Sequence, residues 1–114
     1  MRKLFVCLGM AVVLSGALPW AGAAGASTTA AYVEWGMQGD NVVCVQFAEA
    51  IVLDPGPDID GIFGDETYYA TLDFQAFYSL SVDGVVGPQT GDWVWYWDNY
   101  FSLNDCYALV PTTS

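Results

Sequence analysis

One short pattern is written twice in this chain, and it restricts the fold more than any other feature. Asp60 to Thr67 reads DGIFGDET and Asp83 to Thr90 reads DGVVGPQT, both Asp-Gly-x-x-Gly-x-x-Thr. In each copy the Asp supplies a turn-forming carboxylate and the first Gly permits a positive φ. The apolar pair that follows plugs a core, and the second Gly releases the chain into a helix start. Thr67 and Thr90 fall in the first helical turn, where a hydroxyl can bond backward. Two loops that each open a helix predict a pseudo-symmetric helical bundle.

The flanking segments supply the helices. Gly36 to Asp40, GMQGD, reads as a turn with Asp40 as N-cap of helix one. In NVVCVQFAEAIVL, the residues Val42, Val45, Ala48 or Glu49, and Val52 recur at helical spacing, and the helix must end before Pro55. DPGPDIDG, with two prolines and two glycines, cannot continue it. Helix two is expected to open at Gly64 to Glu66 and to run to Leu80, with Asp65 and Glu66 favoured by the positive end of its macrodipole. Its inward stripe is read as Ala70, Phe74 and Phe77 or Tyr78. Helix three starts with Pro88 at its first position, where the missing N–H is no loss, and reaches Trp97 or Tyr100.

The first 26 residues carry a different signal. Arg2 and Lys3 precede the apolar run Leu4–Leu14, and a small-residue stretch after Pro19 offers cleavage after Ala23 or, preferably, Ala26. This is the pattern of a signal peptide, and the run is too short to span a bilayer. Residues 27–35 then form a loose lead, 36–100 the helical domain and 101–114 a tail. Removal of the signal peptide takes away the only two cations and leaves thirteen carboxylates, with no Lys, Arg or His. Such a chain cannot hold nucleic acid by counterion release, cannot assemble a His-dependent nucleophile, and lacks the usual zinc ligands. Nor does it retain a membrane anchor. Cys44 and Cys106 are the thiols left after cleavage, and in an exported chain they read as a disulfide. Closing a loop of about sixty residues contributes on the order of 4 kcal/mol in the chain-entropy treatment.

Three segments, in order, resemble the bacterial type-1 peptidoglycan-binding domain: GMQGDNVVCVQ, DGIFGDETYYATLDFQ and VDGVVGPQT. The resemblance spans about Val33 to Trp97. It implies an all-α fold, a small three-helix bundle with short loops, here with one disulfide, and no cofactor. It also implies a secreted, cell-wall-associated, non-catalytic module whose partner is peptidoglycan or its fragments. The residues on either side are too few for an attached hydrolase, so catalysis is not expected.

The ligand surface has to be argued from chemistry. Sugar C–H faces stack on aromatic rings, and the carboxylates suit the free amine of a stem-peptide diamino acid, an attraction that weakens with salt. The candidate ligand residues are Tyr68, Tyr69, Trp95 and Tyr96, with Asp65 and Glu66 at the helix start. Trp93 and Trp97 are expected to pack inward, and Asp60 and Asp83 to hold their turns. No metal is expected, because an EF-hand register over DPGPDIDGIFGDE would need acids where Gly56 and Thr67 stand. Helix positions that are commonly polar in the family carry Val43 with Phe47, and Tyr68 with Leu72, each pair at i, i+4. Read as outward apolar ridges, they support an alternative: a structural or interaction protein that binds itself or a basic secreted partner.

Overall fold

The computed structural model describes residues 27–114, so the signal peptide and its cleavage site lie outside the described residues. Three α-helices of 13 residues each, α1 (Asp40–Val52), α2 (Asp65–Phe77) and α3 (Pro88–Tyr100), are followed by a 3-10 turn at Asn104–Ala108. Among the described residues the only β pairing is three isolated bridges, Ser27 with Pro111, Val33 with Val86 and Gln38 with Ile62. The fold is the all-α three-helix bundle that the doubled pattern predicts.

Helix starts follow the glycines. Gly39, Gly64 and Gly87 are the N-caps, and none of the three helices has a side-chain cap. Asp40 is therefore the first residue of α1 and not its cap; the carbonyl of Gly39 already accepts from Val42 and Val43 at 3.1 and 3.2 Å. Helix α2 stops three residues before the predicted Leu80. Ser79 turns to φ 57°, and the Leu80 N–H reaches back to the Gln75 carbonyl at 2.9 Å, a closing bond that satisfies one of the last orphan acceptors. The end of α3 repeats this closure, with Ser102 at φ 65° and Leu103 N–H on the Asp98 carbonyl at 2.8 Å.

Helix α1 is the centre of the bundle. It packs on α2, on α3 and on the 3-10 turn, so Val42, Cys44, Val45, Gln46, Ala48 and Glu49 are all buried. Phe63, Phe74, Val86, Val94 and Val110 fill the space around it. This placement corrects the predicted outward ridge on α1. Val43 is half-buried in a hollow floored by the Cys44–Cys106 disulfide, and half-buried Phe47 meets Phe101 edge-on at 5.7 Å. A helix enclosed on three sides has no face left for an independent ridge. Tyr68 and Leu72 are likewise half-buried rather than free. On α2 the buried stripe is Thr67, Thr71, Phe74 and Gln75, while Phe77, one of the two alternatives for the inward end, is 64% exposed.

Both ends of the described chain join the bundle. Residues 27–35 are not loose: Val33 is fully buried and exchanges backbone bonds with Val86 at 3.1 and 2.8 Å. The tail is bound covalently through Cys44–Cys106, whose Cα atoms are 5.8 Å apart. It is also held by Pro111, whose carbonyl crosses Gly91 so closely that a Cβ there would lie 1.6 Å from the oxygen.

Candidate functional site

The doubled loops converge on two glutamines. The Gln46 amide N–H groups on α1 point to Asp60 Oδ1 at 3.0 Å, the Ile62 carbonyl at 3.1 Å and Thr67 Oγ1 at 2.9 Å. Its Oε1 accepts from the backbone N–H groups of Asp60 and Gly61 at 3.0 and 2.9 Å. On α2, Gln75 does the same with Asp83, Val85 and Thr90 at 2.9, 3.0 and 3.0 Å, and accepts from Asp83 and Gly84 at 3.0 and 2.9 Å. Asp60 and Asp83 hold their turns by accepting the N–H of Ile62 and of Val85, each at 3.0 Å. The Ile62 N–H, together with the Gln46 amide, holds the Asp60 carboxyl below the ordinary 3.8. Gly61 and Gly84 sit at φ 77° and 75°, which L side chains rarely adopt. Sequence reasoning assigned the Asp, Gly and Thr correctly but gave no role to the glutamines, Gln46 in the middle of α1 and Gln75 near the end of α2.

These hubs fix where the surface residues stand. Tyr68 is braced by the second loop, its ring so close to Gly84 that a Cβ there would lie 2.2 Å from Cε1. Tyr69, 64% exposed, meets Tyr68 edge-on at 5.5 Å. At the start of α2, Asp65 accepts from Trp35 Nε1 at 3.0 Å, and Glu66 beside it is exposed. Trp35, exposed itself, thus joins Asp65, Glu66 and Tyr69 at one end of α2.

A second group lies along α3. Tyr78 stacks on Trp93 at 4.0 Å and accepts from Trp97 Nε1 at 2.6 Å. Ring contacts continue from Trp93 to Tyr96 at 5.7 Å, on to Trp97 at 5.0 Å, Tyr100 at 5.9 Å and Phe101 at 5.1 Å. Phe77 flanks Tyr78 at 5.0 Å. The result is a continuous aromatic band in which half-buried Trp93 and Trp97 form the base, while Phe77, Tyr96 (51% exposed) and Tyr100 (68% exposed) stand outward. Trp95 is not part of it. That ring is half-buried and leans toward Tyr107 at 6.3 Å, on a different side of α3 from Tyr96. The six predicted ligand residues are therefore divided: Asp65, Glu66, Tyr68 and Tyr69 at α2, Tyr96 in the band, Trp95 under the tail.

All thirteen carboxylates belong to the described residues, which contain no basic side chain. Two of them are fully buried. Glu49 lies between α1 and α2 with Oε2 2.5 Å from Thr71 Oγ1. Thr71 Oγ1 donates to this carboxyl oxygen and also lies 2.8 Å from the Thr67 carbonyl. Burial raises Glu49 from 4.5 to about 8, the Thr71 hydroxyl offsetting part of that. Asp98 has no hydrogen-bond partner on either oxygen, and burial raises it from 3.8 to about 8.

Residues 50–93 match the sequence model of the family described as "Putative peptidoglycan binding domain". This segment is similar to the peptidoglycan-binding domain family. It runs from the end of α1 through α2 to the first turns of α3 and contains both Asp-Gly loops. The chain is 27% identical, with a TM-score of 0.56, to the crystal structure of the SleB N-terminal domain, covering 61% of this chain and 96% of that one. It is 35% identical, with a TM-score of 0.51, to a peptidoglycan-binding protein from Clostridioides difficile in complex with glutamine hydroxamate, over 58% of this chain and 41% of the other. A spore cortex-lytic enzyme of Halalkalibacterium halodurans is 37% identical over 57 residues, half of this chain. An uncharacterized protein in the bpoA1 3' region of Kitasatospora aureofaciens is 51% identical over 35 residues, or 31% of this chain. The chain spans only 17% and 30% of the lengths of those two relatives.

Proposed function

We propose that this protein is an exported, non-catalytic module that docks on peptidoglycan, with the aromatic band of α3 as the glycan contact. The single observation that carries the reading is the family match over both loop-to-helix units, which build the frame holding the band. Outward Tyr96 and Tyr100 present flat faces for sugar C–H groups, and Trp35, Asp65 and Glu66 offer a second, acidic contact for an amine-bearing stem peptide. The two carboxyls with raised pKa values resemble a general acid only in their titration. Glu49 is sealed between helices and Asp98 lies behind the disulfide, so neither meets a polymer, and a pair of accessible carboxyls is what glycoside hydrolysis requires.

Co-sedimentation of residues 27–114 with purified insoluble peptidoglycan tests the proposal. Enrichment in the pellet is expected, with no release of soluble muropeptides. Tyr96→Ala and Tyr100→Ala should each weaken retention by about fivefold, the equivalent of about 1 kcal/mol for one lost stacking contact. Retention unchanged in both variants would remove the band as the contact, and absence of the wild type from the pellet at low and moderate salt would remove the function.

The exposed band also supports a second reading, self-association or contact with a basic partner protein, since contiguous exposed aromatics on a small domain mark interfaces. Light scattering across a range of concentrations separates the two: a monomer throughout that also ignores basic proteins leaves only the glycan reading.

A further inference from the structure

The two glutamine hubs have a third counterpart that is not a hub. Asp98 is the eleventh residue of α3 as Gln75 is of α2, and both carbonyls receive the same helix-closing bond, at 2.8 and 2.9 Å. Eight residues after Gln75 comes Asp83, and eight after Asp98 comes Cys106. In the first two copies an amide sits among backbone donors; in the third a fully buried carboxyl has no donor at all. Such a group costs free energy and calls for an explanation. Its neighbours are sulfurs: an Asp98 oxygen and the Sγ atoms of Cys44 and Cys106 all lie within 4.8 Å of one another. The same disulfide also lines a surface hollow of about 420 Å³ with Val43, Leu103 and Leu109, which Asp98 does not line. Both cysteines are buried, at 3% and 5% exposed, so the bond lies just beneath the floor of the hollow, with an acid behind it.

We propose that Cys44–Cys106 is a thiol–disulfide exchange site for a dithiol reductant, with Asp98 as proton donor to the departing sulfur. A thiolate of the dithiol enters the hollow and attacks one sulfur, forming a mixed disulfide as the Cys44–Cys106 bond breaks. The electron pair stays on the released sulfur, which takes the Asp98 proton directly or through one water and becomes a thiol. The second thiolate of the reductant then displaces the other cysteine, which is protonated from solvent, as Asp98 is in its turn. The reductant leaves as a disulfide, oxidised by two electrons. Burial keeps Asp98 protonated up to about 8, close to the range of a leaving thiol. The titratable groups around it are Cys44 of α1 and Cys106 of the 3-10 turn, with Asp40 and Asp105 on the rim of the hollow; no cation faces it. Reduction frees the 3-10 turn from α1, while Thr112 on Ser27 and Thr113 on Asp92 keep the chain end in place.

The test is the rate of reduction of the oxidised protein by dithiothreitol from pH 6 to 9.5, followed by alkylation and mass measurement. The wild-type rate should rise in proportion to reductant. Asp98→Asn should be at least tenfold slower at pH 7, the difference disappearing above about pH 8.5 as Asp98 loses its proton. Glu49→Gln, a buried acid removed elsewhere, should exchange like the wild type. A wild-type to Asp98→Asn ratio constant with pH would overturn the proposal. So would a rate that levels off at the independently measured rate of global unfolding, because the disulfide would then be reached only in the unfolded chain.

Discussion

The two buried acids should reverse the pH dependence of stability expected for most proteins, and neutralising them should remove that reversal. Glu49 and Asp98 titrate at 4.5 and 3.8 when free, and burial raises both to about 8 in the fold. Between those limits the unfolded chain has released two protons that the folded chain still holds. Stability therefore falls as pH rises, by about 1.4 kcal/mol per pH unit for each group. The contribution is fully favourable below about pH 4 and bottoms out above about pH 8. Across pH 6 to 8 the pair lowers stability by about 5 kcal/mol, comparable with the whole stability of a small domain. Urea unfolding followed by tryptophan fluorescence, under oxidising conditions and at fixed ionic strength, measures the slope directly. Glu49→Gln and Asp98→Asn should each remove about half of the contribution of the pair. Glu49→Gln, which keeps an amide oxygen to accept from Thr71 Oγ1, should end more stable than the wild type at pH 9. Repulsion among the remaining carboxylates changes little between the three proteins, so the difference in slope isolates the buried pair. Variants whose slopes parallel the wild type would refute the reasoning, because the two carboxyls would then be hydrated and ionised in the fold.

Other consequences are equally direct. Gln46→Ala strands the buried Gly61 N–H and removes the donor to Thr67 Oγ1, and it should cost about 2–4 kcal/mol, read as a drop of at least 10 °C in Tm. Gly84→Ala should cost more than Gly61→Ala. Both residues have positive φ, but the new methyl meets the Tyr68 ring at 2.2 Å in the first case and only Val43 Cγ2 at 3.3 Å in the second. Adding Tyr68→Leu to Gly84→Ala should recover part of the loss in a double-mutant cycle. Replacing Cys44 and Cys106 together by Ser opens a loop of 62 residues and should lower stability by about 4 kcal/mol in non-reducing denaturant titrations.

Much of the frame was legible from local chemistry. The paired Asp-Gly-x-x-Gly-x-x-Thr loops, Pro88 at a helix start and the pairing of Cys44 with Cys106 follow from near-neighbour sterics, turn hydrogen bonds and the presence of only two thiols after residue 26. The apolar spacing of α1 named Val42, Val45, Ala48 or Glu49, and Val52 as inward; the first two and both alternatives are buried, and Val52 is half-buried. It failed for Val43 and Phe47, because spacing reports one face of a helix and cannot say how many neighbours that helix will have.

Solvent exposure and ionisation were decided by tertiary packing alone. Gln46 acts on a loop 14 residues away and Gln75 on one 8 residues away, and nothing in either local segment distinguishes a buried amide hub from a surface glutamine. Asp98 and Asp65 are the same residue type on equivalent helices, yet one is sealed beside a disulfide and the other meets water and Trp35. Tyr96 and Trp95 are adjacent in sequence but belong to different surfaces, because successive helical residues point about 100° apart and each surface is made by whatever packs beside it. Short-range dihedral preferences belong to the sequence; burial, and the proton affinities that follow from it, exist only once distant segments have closed around a group.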